Sequence, residues 1–188
     1  MVNRRGFNAT HTSGSAGAVA PQRFTLERNG WVPNNPRLPV LLYKGVIRIV
    51  GDDPASLFEA IFRRNGWPPQ WRNSVYDFHH CHSTAHEMLG FAGGHAGLML
   101  GGPNGREVIV EAGDAAVLPA GAGHCRIEAS DDFLLFGAYP ADQHWDICRQ
   151  APTHEASERM AHLSYPMTDP VPGNGGFLAN IWAAAMRD

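Results

Sequence analysis

The chain has 188 residues, 44 % of them hydrophobic and 18 % charged, with a formal net charge of -3. Those proportions describe a globular chain of one domain with a real core and exclude a disordered one. A pI near 6.3 gives no electrostatic reason to expect nucleic acid or an anionic membrane as partner, and no apolar run is long enough to cross a bilayer.

Residues 1–20 are rich in Gly, Ser, Ala and Thr and read as a flexible N-terminal arm. Arg4-Arg5-Gly6-Phe7 echoes a twin-arginine export signal. The following Asn8-Ala9-Thr10-His11 is polar where such a signal needs an apolar stretch, so the arm is the reading and the cytoplasm the expected location. Arg23–Leu26 alternates as a strand does. After a Pro/Asn loop, Leu38–Tyr43 reads as a second strand. Asp52-Asp53-Pro54 caps a helix whose apolar face is Leu57, Phe58, Ile61 and Phe62, with Arg63 and Arg64 in its last turn. Trp67 and Trp71 fall in a Pro-rich connection.

From Asn73 to Tyr139 the texture changes to short strands punctuated by glycine. The strands expected are Val75–His82, Glu87–Phe91, Ala96–Leu100, Glu107–Ala112, Ala115–Leu118, Cys125–Ala129 and Phe133–Tyr139. Regular short strands at this spacing, in a chain with 21 Gly and 14 Pro, indicate an all-β sandwich or barrel. Short helices are expected over Glu155–Leu163 and Phe177–Met186. The chain thus reads as an arm (1–20) and a single domain (21–188) whose barrel core spans about 73–140.

The chemistry concentrates in His79-His80-Cys81-His82-Ser83-Thr84-Ala85-His86-Glu87. If Val75–His82 is a strand, His80 and His82 share one face while His79 and Cys81 share the other. Two imidazoles, the carboxylate of Glu87 and one more imidazole from the distant His124 suit a borderline divalent metal. His86 precedes Glu87 and on strand parity faces away, although a tight turn could exchange it for His80. The three cysteines (Cys81, Cys125, Cys148) are too few and scattered for a disulfide framework, which points to a reducing compartment. Cys81 and Cys125 share the outward parity and read as buried apolar residues, with an approach of one to the other, as a redox pair, the alternative. Phe78, Met88, Phe91, Met99, Phe133 and Phe136 are candidates for the interior.

The spacing also carries a resemblance. His80, His82, Glu87 and Gly94 match the first motif of the cupin superfamily interval for interval. Gly113, Pro119, Gly121 and His124 match the second. Ser74 stands where the first motif opens with glycine, and Glu128 where the second ends in asparagine. The chain further resembles RmlC-like single-domain cupins of unassigned function through Gly137-Ala138-Tyr139-Pro140 and Asp169-Pro170. The resemblance implies a double-stranded β-helix, or jelly-roll barrel, with short helical decorations at both ends. It implies one divalent transition metal (Fe, Mn, Ni or Zn) on His80, His82, Glu87 and His124, and a small-molecule substrate in the barrel. It also makes a homodimer reasonable, with apolar Leu38–Tyr43 and the arm as pairing elements.

Three functions compete at this stage: an oxygenase-, isomerase- or lyase-type metalloenzyme, a non-catalytic metal- or small-molecule-binding module, and a metal-free sugar-epimerase-like cupin. The complete ligand set argues against the third.

Overall fold

The computed structural model describes residues 19–187 apart from Val50 and Asp52. The N-terminal arm with its Arg4-Arg5 pair therefore lies outside the described residues, save Val19 and Ala20, and so does Asp52 of the helix cap. In chain order the elements are β1 (Gln22–Phe24), β2 (Val40–Tyr43), α1 (Pro54–Arg64), β3 (Pro69–Asn73), β4 (Glu87–Gly93), β5 (His95–Leu100), β6 (Arg106–Glu111), β7 (Ala115–Leu118), β8 (His124–Ala129), β9 (Leu134–Ala138), α2 (His154–His162) and α3 (Phe177–Ala185). A six-stranded sheet runs β1-β2-β7-β4-β9-β3 and a three-stranded one β6-β5-β8, both antiparallel. Among the described residues, the two antiparallel sheets and three short helices form a β-sandwich with helical decoration. Among the described residues no ladder closes the sheets into the expected barrel.

The inner strands of the larger sheet, β2, β7, β4 and β9, are buried on both faces, which is why they read as continuous apolar runs. Leu41, Tyr43, Met88, Phe136 and Ala138 face one core, shared with Phe58 and Phe62 of α1 and Trp182 of α3. Leu42, Leu89, Phe91, Leu118 and Leu135 face the other, against Leu98 and Val110 of the smaller sheet. Alternation thus separates Met88 and Phe136 from the sandwich interior, where the sequence had placed them beside Phe91. Helix α1 starts as expected: the Asp53 carboxylate accepts from the Ser56 N–H at 3.1 Å, Pro54 opens the first turn and Arg63 and Arg64 close the last.

Two departures bear on the site. The Pro-rich connection around Trp71 contains strand β3, paired with β9 at the edge of the sheet. Its proline stands first, where no ladder hydrogen bond is needed. Conversely, Val75–His82 is not a strand. His80 pairs with His124 and Cys81 with Cys148, each as an isolated bridge. A regular ladder continuing from the His80–His124 pair would bring the Arg126 N–H to the carbonyl of Phe78. That N–H instead reaches Tyr76 O at 2.8 Å, so the chain bulges by two residues and frees the Phe78 carbonyl. The Leu38–Tyr43 run is no free edge either. Strand β2 lies buried between β1 and β7, so this segment lends no support to a homodimer. Among the described residues no helix is long and apolar enough to cross a membrane.

Two motif glycines do what their type suggests. Gly113 (φ +100) and Gly121 (φ +87) turn in the left-handed region, and a Cβ would meet Ile47 O at 2.8 Å or Asn34 O at 3.0 Å. Gly90 of β4 is glycine for space instead: a Cβ there would lie 2.4 Å from the ring of Phe136. That ring is fully buried between Phe58 and Phe62, with centroids at 5.6 and 5.2 Å, and has nowhere to retreat. Gly90→Ala is therefore expected to lower stability by about 1–3 kcal/mol in urea unfolding. An unchanged midpoint would show that this packing yields.

Candidate metal centre

The bulged segment before β4 carries His80 and His82, Glu87 is the first residue of β4, and His124 is the first of β8. All four side chains are buried, and one ring nitrogen from each histidine falls within 4.8 Å of the others. What aims them is the backbone. His80 Nδ1 lies 3.2 Å from the Phe78 carbonyl freed by the bulge, and His124 Nδ1 lies 3.1 Å from the Ala122 carbonyl. His82 Nδ1 bonds to the Asp146 carbonyl of the loop after β9. A carbonyl can only accept, so each Nδ1 carries the proton and each Nε2 presents a lone pair.

Two of those lone pairs face Glu87. His82 Nε2 is 3.2 Å from Glu87 Oε1 and His124 Nε2 is 3.1 Å from Oε2. Two acceptors at that distance repel unless a positive charge stands between them. His82 Nε2 and Glu87 Oε2 are buried without any hydrogen-bond partner. The titration directions agree. Burial and the His124 imidazole push His80 down to about 3, so it stays neutral. Burial would also depress His82 and raise Glu87, but each outweighs that for the other: His82 moves up and Glu87 is held well below the usual carboxylate range. A fixed carboxylate and three converging imidazole lone pairs are the donor set of a divalent transition ion, and the orphaned atoms fit one.

Glu87 Oε1 is engaged elsewhere. The Tyr139 hydroxyl donates to it at 2.6 Å and itself accepts from Trp71 Nε1 at 3.0 Å. Sequence reasoning missed both residues, yet alternation from Leu135 through Gly137 carries Tyr139 to the same interior face as Glu87 and Leu89. Asp146 was missed as well, and a loop carbonyl leaves no signal in a sequence. Its carboxylate accepts from the Ser83 N–H and hydroxyl at 2.6 and 2.5 Å, pinning the loop to the histidine-bearing segment. Beside the centre lies a cavity of about 150 Å³ lined by Trp71, Tyr76, Leu89, Tyr139 and Trp145.

The surplus groups resolve as follows. His86 points to the opposite face, where its Nδ1 accepts the Ala120 N–H at 3.0 Å and its ring packs on Trp182 at 4.8 Å. It shapes the Pro119–Gly121 turn and stands apart from the three clustered histidines. Cys81 does not approach Cys125: its backbone pairs with Cys148, while Cys125 Sγ lies 3.6 Å from His79 Nε2. The irregular course of residues 75–82 breaks the parity that would have aligned them. Burial pushes the Cys81 thiol up to about 12, so it stays protonated. His95 is exposed at the start of β5.

No protein-family model matches the chain. It is 34 % identical over 163 residues to the uncharacterized protein YjlB of Bacillus subtilis (strain 168), covering 86 % of this chain and 96 % of that protein. The chain belongs to the YjlB family. Among solved structures, Streptomyces albus HEPD with 2-hydroxyethylphosphonate and Fe(II) bound aligns at 12 % identity and a TM-score of 0.27, over 70 % of this YjlB-family chain and 22 % of HEPD. The YjlB-family chain thus spans about a fifth of that protein's length.

Burial pushes His86 down to about 4 from its ordinary 6.5. A histidine depressed by folding stabilises above its unfolded pKa, and that contribution disappears as the pH falls through the folded one. Relative to His86→Gln, the wild type is expected to lose about 3 kcal/mol between roughly pH 7 and pH 4 in urea unfolding. Parallel pH profiles of the two proteins would contradict this.

Proposed function

We propose that the chain is a metal-dependent cupin enzyme. Nε2 of His80, His82 and His124 and Oε2 of Glu87 hold one divalent transition ion, and the substrate is a small molecule admitted to the adjoining cavity. The observation that carries this reading is the backbone pinning of all three Nδ1 atoms in three buried histidines whose ring nitrogens converge within 4.8 Å, two of them against Glu87. Bound iron or manganese would supply redox chemistry and bound zinc or nickel Lewis-acid chemistry, so ion identity decides between oxygenase-type and isomerase- or lyase-type turnover.

The protein's own groups have separable tasks. Tyr139 holds Glu87 Oε1 and thereby leaves Oε2 free of any hydrogen bond and directed at His124. Trp71 fixes the Tyr139 hydroxyl. Trp145, about a third exposed, stacks on Tyr139 at 5.7 Å and lies against His82, covering the rim of the cavity against water.

Elemental analysis of protein purified without added metal is expected to find about one transition ion per chain in the wild type, as four converging donors require. His82→Ala and His124→Ala should lose it, and Tyr139→Phe should bind it roughly 10–100-fold more weakly, as removing a group that orients a ligand does. Folded protein that takes up no divalent ion even on reconstitution would overturn the reading.

A further inference from the structure

We propose that the cavity beside the histidines takes a flat single-ring aromatic molecule bearing a phenolic or enolic oxygen. The placing of that oxygen at the histidine edge rests on the metal reading above. Size sets the first limit. A cavity of about 150 Å³ matches the space that admits a benzene ring, so the part of a guest that enters it is no larger than a single ring. The walls set the second. Trp71, Tyr76, Trp145 and Tyr139 all line the space, and Trp145 and Tyr139 lie within 18° of parallel at 5.7 Å, so the wall a guest meets is largely aromatic.

Charge sets the third limit. Among the described residues lining the cavity there is no lysine or arginine, and Glu87 is buried at its floor. A phosphate or polycarboxylate would therefore bring two or more negative charges to a site with no side-chain cation to meet them. One divalent ion balanced by Glu87 leaves a single positive charge, which one ionised oxygen neutralises. Asn73 and Ser74, also on the cavity wall, offer hydrogen bonds to a second polar substituent. The guest that satisfies all three limits is a phenol, a catechol or an enol of similar size.

The test is calorimetric titration of zinc-loaded protein with catechol and, separately, with inorganic phosphate. Zinc is redox-silent, so binding is read without turnover. Catechol is expected to bind saturably and phosphate to give no heat at the same concentrations. Trp145→Leu should weaken catechol roughly 3- to 10-fold, the worth of one aromatic contact. Tyr76→Ala, at another exposed wall residue, should do likewise, with circular dichroism establishing that each variant is folded. Phosphate binding as tightly as catechol would overturn the proposal, as would affinities within twofold of wild type in both variants. Should the protein take no zinc, the metal reading fails by itself. Phenol titrated into metal-free protein then decides, with binding sensitive to Trp145 upholding the aromatic site and its absence overturning it.

Discussion

Three imidazole Nδ1–H groups, each held by a backbone carbonyl, are the constraint on which the rest of the site depends. Imidazole has two nitrogens and, when neutral, one proton; tying that proton to a carbonyl decides which nitrogen keeps its lone pair and where it points. The backbone departs from regularity to provide these acceptors. The two-residue bulge before His80 takes Phe78 O out of the ladder, and the loop after β9 folds back to bring Asp146 O to His82. Each irregularity forfeits sheet hydrogen bonds in exchange for a fixed ring.

The sandwich supplies what the loops cannot. A sheet covered on both faces gives Glu87, Leu89 and Phe91 one side and Met88 and Gly90 the other, so the carboxylate enters the interior without choice of rotamer face. The same alternation in β9 brings Tyr139 beside it, and the short hydroxyl bond to Oε1 makes the two carboxylate oxygens unequal. Helices α1 and α3 seal the far face with Phe58, Phe62 and Trp182, keeping water from the back of β4 and β9. Positioning of the site and burial of the core are thus consequences of one pleat.

Much of this was legible in the chain because local rules suffice for it. The His80/His82 pair, Glu87, the turn glycines Gly113 and Gly121, and the distant His124 form a spaced pattern, and the two glycines do adopt the left-handed backbone their type permits. Helix α1 was readable from its cap and from Phe58 and Phe62, although Leu57 of its expected apolar face is exposed and Ala55 is buried instead. What escaped depends on contacts between remote segments. Strand β3 hides behind two prolines because its ladder is made with β9, some seventy residues away. The segment 75–82 has strand composition, but its partners, β8 and the Cys148 segment, pull it in different registers. That pull also invalidates the parity argument that joined Cys81 to Cys125. Tyr139 could have been found by extending the alternation of β9 past its end. Asp146 could not, since its contribution is a carbonyl every residue possesses.

The central claim is that the three Nε2 atoms and one carboxylate oxygen share a cation. X-ray absorption at the zinc edge of protein loaded with one equivalent of zinc addresses it directly. The account predicts about three imidazole nitrogens at roughly 2.0–2.1 Å and an oxygen at a similar distance, with no sulfur neighbour. A shell of oxygens alone, or one containing cysteine sulfur at about 2.3 Å, would contradict it.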